Sequence, residues 1–233
     1  MKRMWVAAYW SGRRQDEHEC ANCLRQMLAH LATCHTSLSA WFDKRTGKRA
    51  PLNCGDCSQL EAIVAAGAHR RDDSGKQILE LGYTVGFWNG KSRPHSAKLL
   101  MTCGCYTSVG AGGNCVLLDL PEELETLSDS RNMERLLSGI VESWNPDWAG
   151  VFSRQSTNVR DFSPSNPFLD WMVYVNRELW SLPLAGPSLE VRPMGMHGDV
   201  VIVDYDPSRE DSETVRELAI EAEGAIRRKI VAQ

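Results

Sequence analysis

The chain has 233 residues, of which 42% are apolar and 24% charged, with eight Trp and eight Cys; that is enough to bury a large core without disulfides or a structural metal. A formal net charge of -4 argues against a phosphate backbone as direct ligand, because nucleic-acid binders carry a basic stripe. No stretch nears the roughly 20 apolar residues of a membrane span, and Ser11-Gly12-Arg13-Arg14 ends the N-terminal apolar run too early for a secretory signal, so the expected setting is the cytoplasm, with thiols reduced.

In chain order, Met4 to Trp10 is an aromatic and apolar run stopped by Ser11-Gly12, the pattern of a buried strand. From about Gln15 to Cys34, Cys20, Cys23, Leu24, Met27, Leu28 and Leu31 repeat at helical spacing. Asp56 with Gln59 three residues on has capping-box form and predicts a short second helix, with Leu60, Ile63 and Val64 inward and Gly67 as a left-handed stop. Tyr83, Val85 and Phe87 then alternate with Thr84, Gly86 and Trp88 up to Asn89-Gly90, a pair suited to a tight hairpin turn. Ala97, Leu99, Met101, Cys103 and Cys105 share one face of the returning strand. Gly110 to Asn114 turns the chain into a third strand, Cys115 to Leu120, which Pro121 ends.

Met133, Leu136, Leu137, Ile140, Val141 and Trp144 mark another helix, stopped by Asn145-Pro146, and a strand from Trp148 to Ser153 follows. Residues 154 to 170 hold two Pro among Ser, Asn, Thr and Asp and read as a long surface loop for partner contact, with Arg160, Asp161 and Phe162 as candidate contacts. Strands are expected at Trp171 to Val175 and Asp199 to Val203, with Gly195 and Gly198 between them. Ser208 and Asp211 would cap a last helix burying Val215, Leu218, Ala222 and Ile226. Hairpins outnumber possible crossovers, so the expected class is α+β, an antiparallel-rich sheet with helices packed against it. One domain over residues 1-233 is expected, with 154-170 as the place where it would subdivide.

Cys20-x-x-Cys23 and Cys54-x-x-Cys57 imitate a four-thiolate zinc site, but the first pair lies on the apolar stripe of a helix, where free Cys behaves as a small hydrophobe. Asp56 inside the second pair opposes the thiolate a redox site needs. His18-Glu19 lacks the second His of a zinc-protease helix, since position 22 is Asn. Gly110-Ala111-Gly112-Gly113 has no following helix and Lys to cradle phosphate. No metal, no cofactor and no catalytic set is expected, although the residues neither show nor exclude a scattered acid/base pair. Asp204, Asp206, Glu210, Asp211 and Glu213, offset only by Arg209, either favour a helix N-terminus or form an acidic surface that meets a basic nuclease cleft.

Several landmarks recur in a familiar order: Tyr9-Trp10 with Arg13 and Glu17, Trp41-Phe42, Leu81-Gly82-Tyr83, Trp88-Asn89-Gly90, Cys103-Gly104 with Tyr106, Asn114 to Pro121, and Trp144-Asn145-Pro146-Asp147-Trp148. Together, over roughly residues 4 to 153, they make the chain resemble the immunity protein 52 family of bacterial polymorphic toxin systems. The resemblance extends to the immunity partner of a type VI secretion nuclease effector. It implies an α+β protein that binds a cognate toxin of the DNase class tightly and stoichiometrically in the cytoplasm, without chemistry of its own; it places no binding residue. The rival expectation is a cytoplasmic hydrolase with an unrecognised acid/base or thiol site.

Overall fold

Seven consecutive residues with little polar character need cover on both faces, and the first strand obtains it by taking the middle of a sheet. In the computed structural model, which describes residues 4–46, 50–107, 113–122, 129–182, 188–203 and 213–229, β1 (Met4–Trp10) is flanked by β5 (Asn114–Asp119) and β6 (Trp148–Ser153). To one side the sheet continues through β4 (Lys98–Cys103) and β3 (Tyr83–Trp88) to β2 (Phe42–Asp43). To the other it runs through β7 (Met172–Asn176) and β10 (Gly198–Val203) to β9 (Leu189–Met194). All nine strands pair antiparallel with their neighbours. Together with the helices this is an α+β architecture, and Pro193 is tolerated in β9 because that strand is an edge.

Alternation along β1 sends Val6, Ala8 and Trp10 into one core and Ala7 into another, each fully or almost fully buried. The first core lies under α1 (Glu17–Cys34), α2 (Cys57–Ala66) and α3 (Ser130–Trp144). Asp16 starts α1 with a complete capping box, its carboxylate accepting from the Glu19 N–H at 2.8 Å while the Glu19 carboxylate accepts from the Asp16 N–H at 2.9 Å. Asn145 ends α3 in the left-handed conformation, with φ 43°. Gly139 lets α1 and α3 close up, since a Cβ there would lie 2.1 Å from the His30 ring.

The second core joins Trp148, Phe152, Phe168, Val173 and Val201 to Ala219, Ala222 and Ile226 of the last helix and its exit. That helix, α5 (Glu213–Ala225), is followed by β11 (Arg227–Arg228), which pairs with β8 (Trp180–Ser181) in a second, two-stranded sheet. Among the described residues no helix is long and apolar enough to cross a membrane.

Several local expectations are corrected. Gly67 caps α2 with φ −86°, not in the left-handed region; it is small because the Thr84 carbonyl oxygen would sit 2.5 Å from a Cβ. Asn89-Gly90 makes no tight hairpin, because β3 and β4 are joined by residues 89–97. Buried Asn89 organises that connection: its Oδ1 accepts from the Ala97 N–H at 3.0 Å, and its Nδ2 donates to the carbonyls of His95 at 2.8 Å and Ser37 at 3.1 Å. The segment 154–170 is not all loop: Ser153 caps a short helix, α4 (Arg154–Val159), and Phe168 and Leu169 are buried. In α5 and its exit Ala222 and Ile226 are buried as expected and Ala219 joins them, whereas Leu218 is only half-buried and the Val215 side chain lies outside the description. The Gly110-Ala111-Gly112 turn and the Ser208–Asp211 cap lie outside the described residues.

Candidate functional site

Most of the landmark residues meet at one end of the sheet, where β1, β5 and β6 deliver their loops side by side. Beyond Trp10 the chain leaves β1 as Ser11-Gly12-Arg13-Arg14, and the Arg13 N–H donates to the Cys105 carbonyl at 2.8 Å. Buried Asn114 fastens the same two loops, its Oδ1 accepting from the Cys105 N–H at 2.8 Å and its Nδ2 donating to the carbonyls of Cys105 at 2.9 Å and Ser11 at 3.0 Å. The Arg13 guanidinium forks onto the last carbonyls of α3, Trp144 and Asn145, each at 2.8 Å. Asp147 Oδ2 accepts from the Ser11 N–H at 2.9 Å and from the Ser11 hydroxyl. Tyr83 donates its hydroxyl to Glu17 at 2.7 Å, and burial together with that carboxylate pushes its phenol well above the ordinary value. Gly82, at φ +62°, leaves no room for a side chain, since a Cβ would lie 2.2 Å from the Cys103 carbonyl oxygen.

This fastening frames a cavity of about 230 Å³. Its aromatic walls are Tyr9 and Trp148, stacked with centroids 4.8 Å apart, and Trp180. Trp148 is oriented by donating Nε1–H to the Pro164 carbonyl at 2.8 Å. Ser11 and Asp147 supply the polar side, and exposed Arg228 holds its guanidinium 6.0 Å from the Trp180 ring. Burial, and secondarily Cys115, raises the Tyr9 phenol, which is neutral at pH 7. Nearby, exposed Arg14 lies 5.7 Å from the partly exposed Tyr106 ring. A wider, shallower groove runs between β2 and α2, lined by Leu52, Ile63 and Ala66. There Arg45 pairs with Asp43 at 2.8 Å and donates to the Ile63 carbonyl at 3.0 Å.

Of the residues singled out in the sequence, those that are described do not form one cluster. Arg160 is tied down, bonding Glu223 at 2.6 Å and the Leu169 carbonyl at 2.7 Å with its guanidinium 4.2 Å from the Phe168 ring. Phe162 stands behind the cavity wall, 5.9 Å from the Tyr9 ring and 6.2 Å from that of Trp148. Asp161 is exposed. Asp204, Asp206, Glu210 and Asp211 lie outside the described residues, and Glu213 is the first residue of α5. The sequence reading missed the cavity because Tyr9, Ser11, Asp147, Trp180 and Arg228 come from distant places in the chain. Its one local signal was a helix exit, Asn145-Pro146, carrying an acid straight into a buried strand.

Five of the eight thiols are poorly suited to act as a nucleophile. Burial pushes Cys23, Cys34, Cys54 and Cys115 above the ordinary thiol value, and Cys103 well above it, with Cys20 beside it adding to the effect. Among the described residues no three His, Cys, Asp or Glu gather in a metal-binding arrangement.

The family described as Immunity protein 52 matches residues 2–212. Among solved structures the fold is similar to "Pseudomonas aeruginosa T6SS protein PA0821", with a TM-score of 0.58 and 13% identity over 97% of this chain and 73% of that one. No curated protein matches the chain.

Proposed function

The chain belongs to the immunity protein 52 family, and from that premise we propose that it binds a cognate toxin, a nuclease effector of an interbacterial secretion system, and neutralises it by forming a stoichiometric complex in the cytoplasm of the producing cell. The observation that carries the reading is the family match across residues 2–212. The fold's likeness to a T6SS protein supports the secretion-system part. No catalysis is required of it: tight association over a standard interface of about 800 Å² per partner is enough to block a toxin's active site. Contacts are assigned to the acidic run Asp204, Asp206, Glu210, Asp211 and Glu213, which suits a basic nuclease cleft, and to the 160–162 segment, where Asp161 is exposed.

Co-expression with the product of the neighbouring gene tests this. Host survival, with co-purification of a stable complex, is the expected result; a neighbour that is harmless or unbound overturns it. If Asp206, Glu210 and Asp211 changed together to Lys leave toxin affinity intact, the acidic-face assignment is wrong.

A further inference from the structure

We propose that the cavity at the end of the central strand receives one tyrosine side chain of the bound partner; this rests on the toxin-binding reading above. At about 230 Å³ the space falls below the roughly 300–1,000 Å³ of small-molecule sites and suits a single large side chain. Tyr9, Trp148 and Trp180 give the lining an aromatic, apolar side against which a ring can pack. On the polar side, half-buried Asp147 spends one oxygen on Ser11, while its other oxygen accepts nothing among the described residues. That free acceptor calls for a donor at the tip of the occupant.

Charge narrows the choice further. Arg228 and Asp147 offset one another, so an ionic side chain entering between them would lose hydration without a net Coulomb gain, and a neutral occupant is favoured. Of Trp, Tyr and Arg, the residues that most often anchor interfaces, Arg is disfavoured by that loss of hydration. Trp carries its donor on the flank of a wider ring system. Tyr donates from its end, lays its faces against the walls and presents its π cloud to Arg228. The receiving surface is held in place beforehand by Asn114 and Arg13, so little ordering is needed on binding.

The probe is p-cresol, the tyrosine side chain as a free molecule, titrated into the full-length protein and read by the shifts of the Trp indole N–H signals. Saturable millimolar binding is expected, at least threefold tighter than toluene and tighter than n-butylguanidinium. Asp147→Asn should remove the advantage over toluene, and Ser165→Trp, which fills the mouth from an exposed position, should abolish binding by both aromatics. Absence of p-cresol binding, tighter binding of n-butylguanidinium, or an unaffected Ser165→Trp variant overturns the proposal. With the neighbouring gene's product, Ser165→Trp should weaken the complex at least tenfold. An unchanged complex overturns the tyrosine proposal and leaves the immunity reading standing, whereas a wild type that binds no toxin overturns the immunity reading itself.

Discussion

Arg13→Ala should unfold the protein at markedly lower denaturant, because one guanidinium supports both the exit of β1 and the end of α3. It supplies donors to the Trp144 and Asn145 carbonyls, which the helix leaves without an internal partner. Hydrogen bonds to a charged group contribute roughly 1.5–3 kcal/mol each when shielded; discounting the more exposed one gives a loss of about 3 kcal/mol. For a chain of this length that is a fall in Tm of roughly 6–12 °C. Urea unfolding should show the midpoint dropping with an unchanged m-value. Arg13→Lys should recover less than half, since an ammonium is a point charge and cannot fork onto two carbonyls. A change within about 0.5 kcal/mol for Arg13→Ala, the size of an ordinary surface substitution, would refute the reasoning. So would full recovery with Lys. Because Ser11 lies two residues away and bonds Asp147, p-cresol binding should weaken along with stability.

Gly82→Ala combines a backbone region closed to side chains with overlap on the Cys103 carbonyl, and should cost about 3 kcal/mol or more, seen as lost soluble yield and a lowered Tm. Asn114→Leu strands the buried Cys105 N–H and takes one donor from the Cys105 carbonyl, which keeps the Arg13 N–H, and one from the Ser11 carbonyl, so a loss of about 2 kcal/mol is expected by the same denaturant assay. His35 is pushed down by burial and by Lys91, and its Nδ1 accepts from the Ser37 N–H; protonation therefore favours the unfolded chain, and stability should fall as pH drops below the ordinary value of about 6.5, a slope that His35→Asn flattens. His18 runs the other way, raised by its bond to Glu61, so its contribution is present at low pH and fades as pH rises through its elevated value; unfolding at pH 5 and 8 for His18→Ala checks the sign. Iodoacetamide at pH 7.5 should leave Cys20 and Cys103 unmodified in the native protein and label all eight Cys in urea.

What the sequence made legible follows from periodicity and caps. The β1 strand ends and the β6 strand begins where expected because an apolar run meets Ser-Gly in one case and follows Asn-Pro in the other. The spacing in α1 and α3 is long enough to be unambiguous, and Asp16 and Asn145 set their ends. By contrast α4, with Arg, Gln, Ser, Thr and Asn in six residues, has no apolar face to announce it and is helical because Ser153 caps it and Asp170 takes the Ser156 hydroxyl. Asn89 and Gly67 carry familiar turn chemistry but serve tertiary ends, a buried amide network and a close helix–strand approach. For the site, the landmark residues could be recognised by their order alone. That Asn114, Arg13 and Asp147 are the fastenings of one cavity is a property of three-dimensional assembly, which no spacing encodes.

The central place of β1 sets the timing of the protein's birth. β1 is made well before its partners, which begin at Asn114 and Trp148, so a long stretch of chain has to leave the ribosome after it before it can be covered on even one edge. Such distant pairings fold slowly, and until then an aromatic-rich segment stays open to aggregation or to chaperones. A cell that makes a poison and its antidote together would therefore be exposed during that interval, and translating the antidote early or in excess is the direct remedy.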